Sequence, residues 1–300
     1  MKQKLVIYFC LFISPICSTM YAQTGGNLIA PDAKVEKLAE GFSFTEGPAV
    51  DHQGNVYFTD QPNDRILIWS VDGKLSTFHE KPGRANGLYF DKQNRLISCS
   101  DLDNELWRFD ANGNHTVILK DFNGKKLNGP NDLWVHPNGG IYFTDPLYAR
   151  NYWTRSPEMQ QEGQYLYYVT PDLQSVKRID TELEQPNGII GSPDGKLLYV
   201  ADIRARKTYV YDIRPDGALA NKRLFTAMGS DGMTMDEKGN IYLTGRGVTI
   251  FNPAGEQIEQ IPVEANWTAN VCFGGKDMQT LFITASQYLY SLRMNVKGVR

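Results

Sequence analysis

Short apolar runs alternate with polar turns along the whole chain, and the same order of runs returns six times. Each unit starts with a polar residue and an apolar run. It then turns at Asp, Asn and Gly, and ends in a second apolar or aromatic run. That order predicts a β-hairpin in every unit. The six units begin at Glu46, Asn86, Asn131, Asn187, Asp231 and Asn270.

The spacing of the units indicates a repeat architecture. Their starts are 40, 45, 56, 44 and 39 residues apart, and no stretch has a helical period. In the first unit a third apolar run at residues 65–71 and the turn at Asp72-Gly73 lead into a fourth strand. Four-stranded units with this period are typical of propeller blades. We therefore predict an all-β fold, a six-bladed β-propeller with four-stranded antiparallel blades.

The two ends of the propeller are expected to close on each other. The last unit supplies only three strands, the third of them ending near Met294. Residues 35–40 precede the first hairpin and are predicted to add the missing outer strand, which would leave few exposed sheet edges.

The first 22 residues have the pattern of a signal peptide. Lys2 and Lys4 precede an apolar run at residues 5–16, and Ala22 offers a small residue for cleavage. The run is shorter than the roughly 20 residues that a membrane-spanning helix needs. We expect residues 1–22 to be removed and residues 23–300 to form a single propeller domain, exported to a periplasm or secreted.

Charge and composition exclude several classes of partner. The net charge is −3, and the charges are interspersed without a basic stripe. The sequence has neither a Gly-x-Ser-x-Gly elbow nor a phosphate-binding glycine loop. We expect a small-molecule substrate, no nucleic acid and no membrane association after cleavage. The pattern leaves the oligomeric state open.

The first residues of the six units point to a cation site. The first strand of a propeller blade lines the central channel, so these residues should lie at one level around the axis. All six carry oxygen in the side chain, as a Glu, an Asp and four Asn. Such ligands favour Ca²⁺, Mg²⁺ or Mn²⁺ over zinc. Inherited turn chemistry is the alternative, which explains Asn86 and Asn270 but explains Glu46 poorly.

A second set of carboxylates is predicted at the same rim. The second strand of each blade runs back antiparallel to the first, which should return Asp60, Asp145 and Asp202 to the level of the first residues. So much negative charge would repel itself without a cation. We expect one divalent metal, with Ca²⁺ favoured and Mg²⁺, Mn²⁺ and Zn²⁺ as alternatives.

The longest spacing reflects an insertion at residues 146–164. Long loops on a rigid scaffold often carry function, although a tolerated surface insertion explains the length equally well. The polar and aromatic side chains of this loop include Tyr148, Arg150, Tyr152, Trp153 and Arg155.

Several segments together resemble the senescence marker protein and gluconolactonase family of six-bladed propellers. The resemblance covers about residues 35–298. The segments that carry it are Phe-Thr-Glu-Gly-Pro at 44–48, Leu-Asn-Gly-Pro-Asn-Asp-Leu at 127–133, Ile-Tyr-Phe-Thr-Asp-Pro at 141–146, Gln-Pro-Asn-Gly at 185–188, Asp-Gly-Met at 231–233 and Thr-Ala-Asn-Val-Cys-Phe-Gly-Gly at 268–275.

The resemblance implies one divalent metal at the channel mouth and a role for Asp231 as general base. The chain departs from the family pattern at Gly129, where some members place an Arg that binds sugar hydroxyls. The metal ligands implied by matching positions are Glu46, Asn131, Asn187 and Asp231.

The activity implied by the resemblance is lactone hydrolysis, in which a metal polarises the ring carbonyl and Asp231 activates water. Hydrolysis of aryl esters or phosphotriesters at the same site is a second reading. A non-catalytic propeller that binds a sugar or peptide around a structural metal is a third. The residues expected to contact or orient the substrate are Asn86, Asp145, Asp202, Tyr148, Trp153 and Trp267.

Overall fold

A computed structural model describes residues 28–299, and it confirms the predicted six-bladed β-propeller. Its strands form six separate four-stranded antiparallel sheets. The predicted signal peptide, residues 1–22, lies outside the described residues. Within residues 28–299 the structure contains no helix long and apolar enough to cross a membrane.

The first three blades follow the chain in order, and each runs from its innermost to its outermost strand. Blade 1 contains β2 Thr45–Val50, β3 Val56–Asp60, β4 Arg65–Trp69 and β5 Leu75–Glu80, with a 3-10 turn at Gln61–Asn63. Blade 2 contains β6 Ala85–Phe90, β7 Leu96–Ser100, β8 Glu105–Phe109 and β9 His115–Leu119. Blade 3 contains β10 Leu133–Val135, β11 Ile141–Asp145, β12 Tyr165–Val169 and β13 Val176–Asp180.

The last three blades continue the same plan, except that the sixth takes one strand from the start of the chain. Blade 4 contains β14 Pro186–Gly191, β15 Leu197–Asp202, β16 Lys207–Ile213 and β17 Leu219–Thr226. Blade 5 contains β18 Met233–Met235, β19 Ile241–Gly245, β20 Gly247–Phe251 and β21 Gln257–Ile261. Blade 6 contains β22 Thr268–Gly274, β23 Thr280–Ala285, β24 Tyr288–Arg293 and β1 Glu36–Glu40.

The predicted closure of the propeller is confirmed. β1 pairs antiparallel with β24, with Glu36 opposite Ser291 and Glu40 opposite Tyr288. This strand takes the fourth position of blade 6, so that β1 rather than β24 forms the outer edge of that blade.

The first hairpin of several blades is fixed by an aspartate that closes its own turn. In blade 1 the Oδ1 atom of Asp51 accepts hydrogen bonds from the backbone amides of Gln53 and Asn55, at 2.9 and 2.8 Å. The same arrangement recurs at Asp91 and Asp236. Asp side chains favour turns because they satisfy amides locally in this way.

The hydrophobic core lies between the faces of neighbouring blades. Aromatic side chains of the second and third strands are fully buried there, among them Phe58, Tyr142, Phe143 and Tyr167. The hydroxyl of Tyr142 donates to the carbonyl of Gly217 in the next blade at 2.8 Å. The blades therefore pack tightly against one another around the channel, which holds the residues of the innermost strands in fixed positions.

Candidate functional site

The six first residues of the repeat all belong to the innermost strands or their approaches. Glu46, Asn86, Asn187 and Asn270 lie within β2, β6, β14 and β22. Asn131 and Asp231 come two residues before β10 and β18. The alternative that the asparagines are turn residues is therefore wrong. We call these six residues the ring, and the end of the channel where they lie the mouth.

Glycines explain how the innermost strands approach so closely at the ring. A Cβ atom at Gly87 would lie 2.6 Å from the carbonyl oxygen of Asn131 in the next blade, and the Gly87 amide donates to that oxygen at 2.7 Å. Comparable collisions would occur at Gly47, Gly188 and Gly232. The glycine after a ring residue thus serves close contact between blades rather than a tight turn.

Ring residues from blades 4 and 5 are joined by hydrogen bonds. The Nδ2 atom of Asn187 donates to Asp231 Oδ1 at 2.8 Å and to the hydroxyl of Tyr148 at 2.9 Å. The indole N–H of Trp267 donates to Asp231 Oδ2 at 2.6 Å. Both carboxylate oxygens of Asp231 are therefore oriented by side chains of other segments.

Burial and mutual repulsion disfavour the charged forms of the ring carboxylates. Burial raises the pKa of Glu46 well above its ordinary value, and the charge of Asp231 raises it further. Burial also raises the pKa of Asp231, although hydrogen bonds from Trp267 and Asn187 oppose the shift. Such like-charged buried groups are typical of a site completed by a cation.

Asp132 is a further carboxylate of this site that the sequence analysis missed. It is buried, and its oxygens accept hydrogen bonds from the Leu133 amide at 2.9 Å and from Asn270 Nδ2 at 3.4 Å. Burial raises the pKa of Asp132 to about 7. A sequence signal was available, because Asp132 stands where blades 1, 2, 4 and 5 have the glycine that follows the ring residue.

An unsatisfied oxygen in the ring fits a bound cation. Asn187 Oδ1 is buried and has no hydrogen-bond partner among the described residues, which is costly unless a ligand supplies one. In residues 28–299 no cluster of three or more His, Cys, Asp and Glu side chains is arranged to hold a metal ion. A metal at the ring would therefore depend on amide oxygens as well as carboxylates, which suits a hard cation.

The predicted rim aspartates do return to the mouth end of their blades, but their oxygens are occupied. Asp145 Oδ2 and Oδ1 accept the backbone amides of Asn128 and Gly129, both at 2.9 Å. Asp202 accepts the amides of Glu184 and Gln185 at 2.7 and 3.0 Å.

Asp60 is occupied in the same way. It accepts the amides of Ser43 and Phe44 on one oxygen and the side chain of Arg65 on the other. The exposed fractions of Asp60, Asp145 and Asp202 are 0%, 0% and 1%. We call these three residues the bracing aspartates. The substrate contact predicted for Asp145 and Asp202 finds no support in this geometry.

The long loop at residues 146–164 is fastened to blades 2 and 3. Trp153 Nε1 and Arg155 Nη2 donate to the two oxygens of Asp101 at 3.0 and 3.2 Å, and the Arg155 guanidinium stacks on the Trp153 ring. The amides of Gln160 and Gln161 both donate to Asn128 Oδ1 at 2.9 Å.

The predicted substrate contacts on this loop and at the rim divide into two groups. Tyr148 and Trp267 touch ring residues directly, and Trp267 remains 37% exposed beside Asp231. Asn86 belongs to the ring itself. Trp153 instead has its N–H engaged by Asp101, so the structure gives it a role in holding the loop.

Comparison with known proteins identifies the family. The SMP-30/Gluconolactonase/LRE-like region matches residues 44–287. This chain belongs to that family. The resemblance predicted from the sequence motifs is thereby confirmed.

Individual relatives cover most of the chain. The gluconolactonase of Zymomonas mobilis is 27% identical over 88% of this chain and 82% of its own length. The lactonase drp35 of Staphylococcus saprophyticus is 29% identical over 72% of this chain and 68% of its own length. The solved structure of a gluconolactonase from Xanthomonas campestris has a TM-score of 0.83 at 30% identity, covering 89% of this chain and 91% of that one.

Proposed function

We propose that this protein is a metal-dependent lactonase that opens a lactone ring at the mouth of the channel. The observation that carries the proposal is the ring itself, in which the buried carboxylates Glu46 and Asp231 lie near each other and the neighbouring amide oxygen of Asn187 has no partner among the described residues. The gluconolactonase, lactonohydrolase and lactonase relatives support a lactone-hydrolysing enzyme, which is a carboxylic ester hydrolase.

The ring residues proposed to hold the metal come from four different blades. A divalent cation bound there would supply a Lewis acid for the lactone carbonyl. Calcium is the proposed ion because the donors are hard oxygens, and a calcium-binding regucalcin from Agrobacterium tumefaciens shares the fold, with a TM-score of 0.73 at 20% identity. The proposed ligands are Glu46, Asn131, Asn187 and Asp231.

Asp231 is the proposed general base. Asn187 and Trp267 donate to its two oxygens and so fix the plane of the carboxylate. In the proposed reaction a water oxygen bonds to the carbonyl carbon as Asp231 takes the water proton. The ring C–O bond then breaks, and the proton passes to the leaving oxygen, which gives the hydroxy acid.

The remaining residues at the mouth are proposed to position the substrate. Asn86 presents an amide from the ring, Tyr148 covers Asn187, and Trp267 offers a partly exposed aromatic face beside the base. An aromatic face next to polar groups suits a ring-shaped substrate with hydroxyl groups.

The proposal is tested by acid release from glucono-1,5-lactone in a pH-stat, corrected for spontaneous hydrolysis. We expect turnover that disappears after treatment with a chelator and returns with added Ca²⁺. Metal content measured by atomic emission before and after the treatment would show whether loss of turnover follows loss of the ion.

Two other outcomes would redirect the proposal. Turnover of aryl esters or phosphotriesters without turnover of any lactone would replace the lactonase with the second hydrolase reading. Bound metal and tight binding of a sugar or peptide, with no hydrolysis of any ester, would favour a binding protein with a structural ion.

A further inference from the structure

Arg150 on the long loop stands out as a cation beside an acidic site without a carboxylate partner of its own. In the part of the chain that the structure describes it forms no ion pair, and its Nε atom is buried without a hydrogen-bond partner. Its guanidinium lies over the ring of Tyr148, 5.2 Å from the ring centre. The Nε atom of Arg155 is unpartnered in the same way, so the difference lies in the rest of the guanidinium, for which Arg150 has neither an ion pair nor a hydrogen bond among residues 28–299. A guanidinium held at an acidic site with its donors unused is suited to a ligand that accepts from them.

The neighbouring arginine shows what a structural role looks like on the same loop. Arg155 pairs with Asp101 at 3.2 Å, donates to the carbonyl of Asn128 at 2.7 Å and stacks on Trp153 at 3.5 Å. Its guanidinium also fills the space beside Gly129, where an added Cβ would lie 2.9 Å from Arg155 Nη2. Arg155 therefore fastens the loop, and Arg150 is left with its donors free for another partner.

The position of Arg150 directs it toward the mouth. Tyr148, under its guanidinium, contacts Asn187 through the hydroxyl, and Asn187 in turn contacts Asp231. Burial raises the pKa of both Asp231 and Tyr148, and the positive charge of Arg150 opposes that rise in each, which is consistent with this proximity. Glu46, Asp132 and Asp231 lie close together at this mouth, and Arg150 places a separate positive charge at its rim, where it can pair with an acidic group on a substrate.

We propose that Arg150 and Tyr148 form an anion subsite that selects lactones bearing a carboxylate or phosphate group. Arginine suits this task because its planar donors match the oxygens of both groups. The proposal rests on the proposed lactonase activity, and it specifies the substrate class of that same site.

The test compares lactones that differ in charge, using Arg150→Met and the parent protein. The probes are glucono-1,5-lactone, its 6-phosphate, and glucaro-1,4-lactone, which carries a carboxylate. We expect the ratio of kcat/KM for the anionic lactones to that for the neutral lactone to fall about tenfold to a hundredfold, mainly through KM. Arg150→Lys should retain part of the preference because it keeps the charge.

A matched control is Arg204→Met. It removes an exposed arginine from the turn after β15, at the mouth end of blade 4. That variant should leave the ratio unchanged. The two anionic probes distinguish a phosphate subsite from a carboxylate subsite, since a preference for only one of them identifies the acidic group that is bound. An unchanged ratio in Arg150→Met, with the fold intact by circular dichroism, would overturn the subsite.

Failure of the lactonase proposal can be told apart from failure of the subsite. If the parent protein hydrolyses none of the three lactones, calorimetric titration with 6-phosphogluconate and glucarate decides the matter. Binding of either anion that weakens at least tenfold in Arg150→Met would keep the subsite and reject the reaction. No binding to the parent protein would reject the subsite.

Discussion

The ring carboxylates and the bracing aspartates lie at the same end of the blades, yet their oxygens have different partners. Each bracing aspartate accepts backbone amides from the segment that leads into its own blade, as Asp145 does with Asn128 and Gly129. Asp231 instead accepts side-chain donors from the neighbouring blades 4 and 6. Asp231 is thus held at the channel by side chains from two other blades, whereas each bracing aspartate ties down a loop of its own blade.

A shifted pKa alone would not separate the two sets. Burial raises the pKa of Asp132, beside the ring, to about 7, and it raises the pKa of the bracing residue Asp145 to about 7 as well. Perturbed titration accompanies structural as well as functional carboxylates. The identity of the hydrogen-bond donors is therefore the better guide to which carboxylates are available for chemistry.

The sharpest test of the comparison is Glu46→Gln, which keeps the shape of a ring residue and removes its charge. We expect kcat/KM on the lactone to fall about a hundredfold or more, because the charge of a proposed metal ligand is lost. Thermal stability in chelator should be unchanged or higher, since an isolated buried charge disfavours the folded state. Lactone kinetics and thermal melts measure the two effects.

Glu80→Gln, at the exposed end of β5, is the control for Glu46→Gln and should match the parent. Full lactone turnover by Glu46→Gln would remove Glu46 from the metal site and weaken the distinction between the two sets.

The opposite pattern is expected for Asp145→Asn. Replacing one acceptor oxygen by an NH₂ group places that donor opposite a backbone N–H of Asn128 or Gly129, which is also a donor. The free energy of unfolding should therefore fall by about 1–3 kcal/mol. Turnover per folded molecule should be retained. Chemical denaturation at pH 8, where the carboxylate is ionised and both oxygens accept amides, measures the loss of stability. Because burial raises the pKa of Asp145 to about 7, ionisation itself costs the folded parent free energy at this pH, which makes the loss smaller than for a carboxylate with an ordinary pKa.

Asp72→Asn, on an exposed turn of blade 1, provides the reference for Asp145→Asn, because its carboxylate accepts no backbone amide in the described structure. A loss of turnover in Asp145→Asn without a loss of stability would give this residue the substrate role that its buried position argues against.

The smallest effect is expected for Trp267→Phe, which keeps an aromatic ring at the rim and removes the N–H donor to Asp231. We expect kcat to fall about tenfold, because one hydrogen bond to a charged group is lost, while KM changes little. Steady-state kinetics with the lactone measure both parameters. Trp69→Phe in β4 serves as the control.

A KM that rises while kcat stays constant in Trp267→Phe would show that this residue holds substrate rather than the base. That result would still place Trp267 at the mouth, but it would remove its part in orienting Asp231.

The fold was predictable because each hairpin depends on apolar runs and turn residues that are close together in the sequence. Apolar runs recur in every blade, separated by turns of Asp, Asn, Ser, Pro or Gly such as the one at residues 51–54, and counting strands was enough to expect the pairing of β1 with β24. The ring followed from the same period, since a fixed offset from each hairpin places one residue per blade at the channel.

The finer assignments depended on contacts between distant segments. The sequence places Asp145 and Asp202 at the mouth end of their strands, but it does not say that amides 16 to 18 residues earlier occupy their oxygens. Asp132 follows the first residue of its unit, and the repeat alone does not show that this second position also faces the channel. Trp153 was interpreted as a substrate contact because its partner, Asp101, lies in another blade.

The pairing of β1 with β24 makes closure of the propeller a contact between strands far apart in the chain. β1 comes before the other strands, and its partner β24 comes after them. The ring residues of blades 1, 3, 4 and 5 surround one channel only while blades 1 and 6 adjoin each other, and this pairing contributes to that contact. A cation that binds only the closed propeller would favour the closed state by mass action.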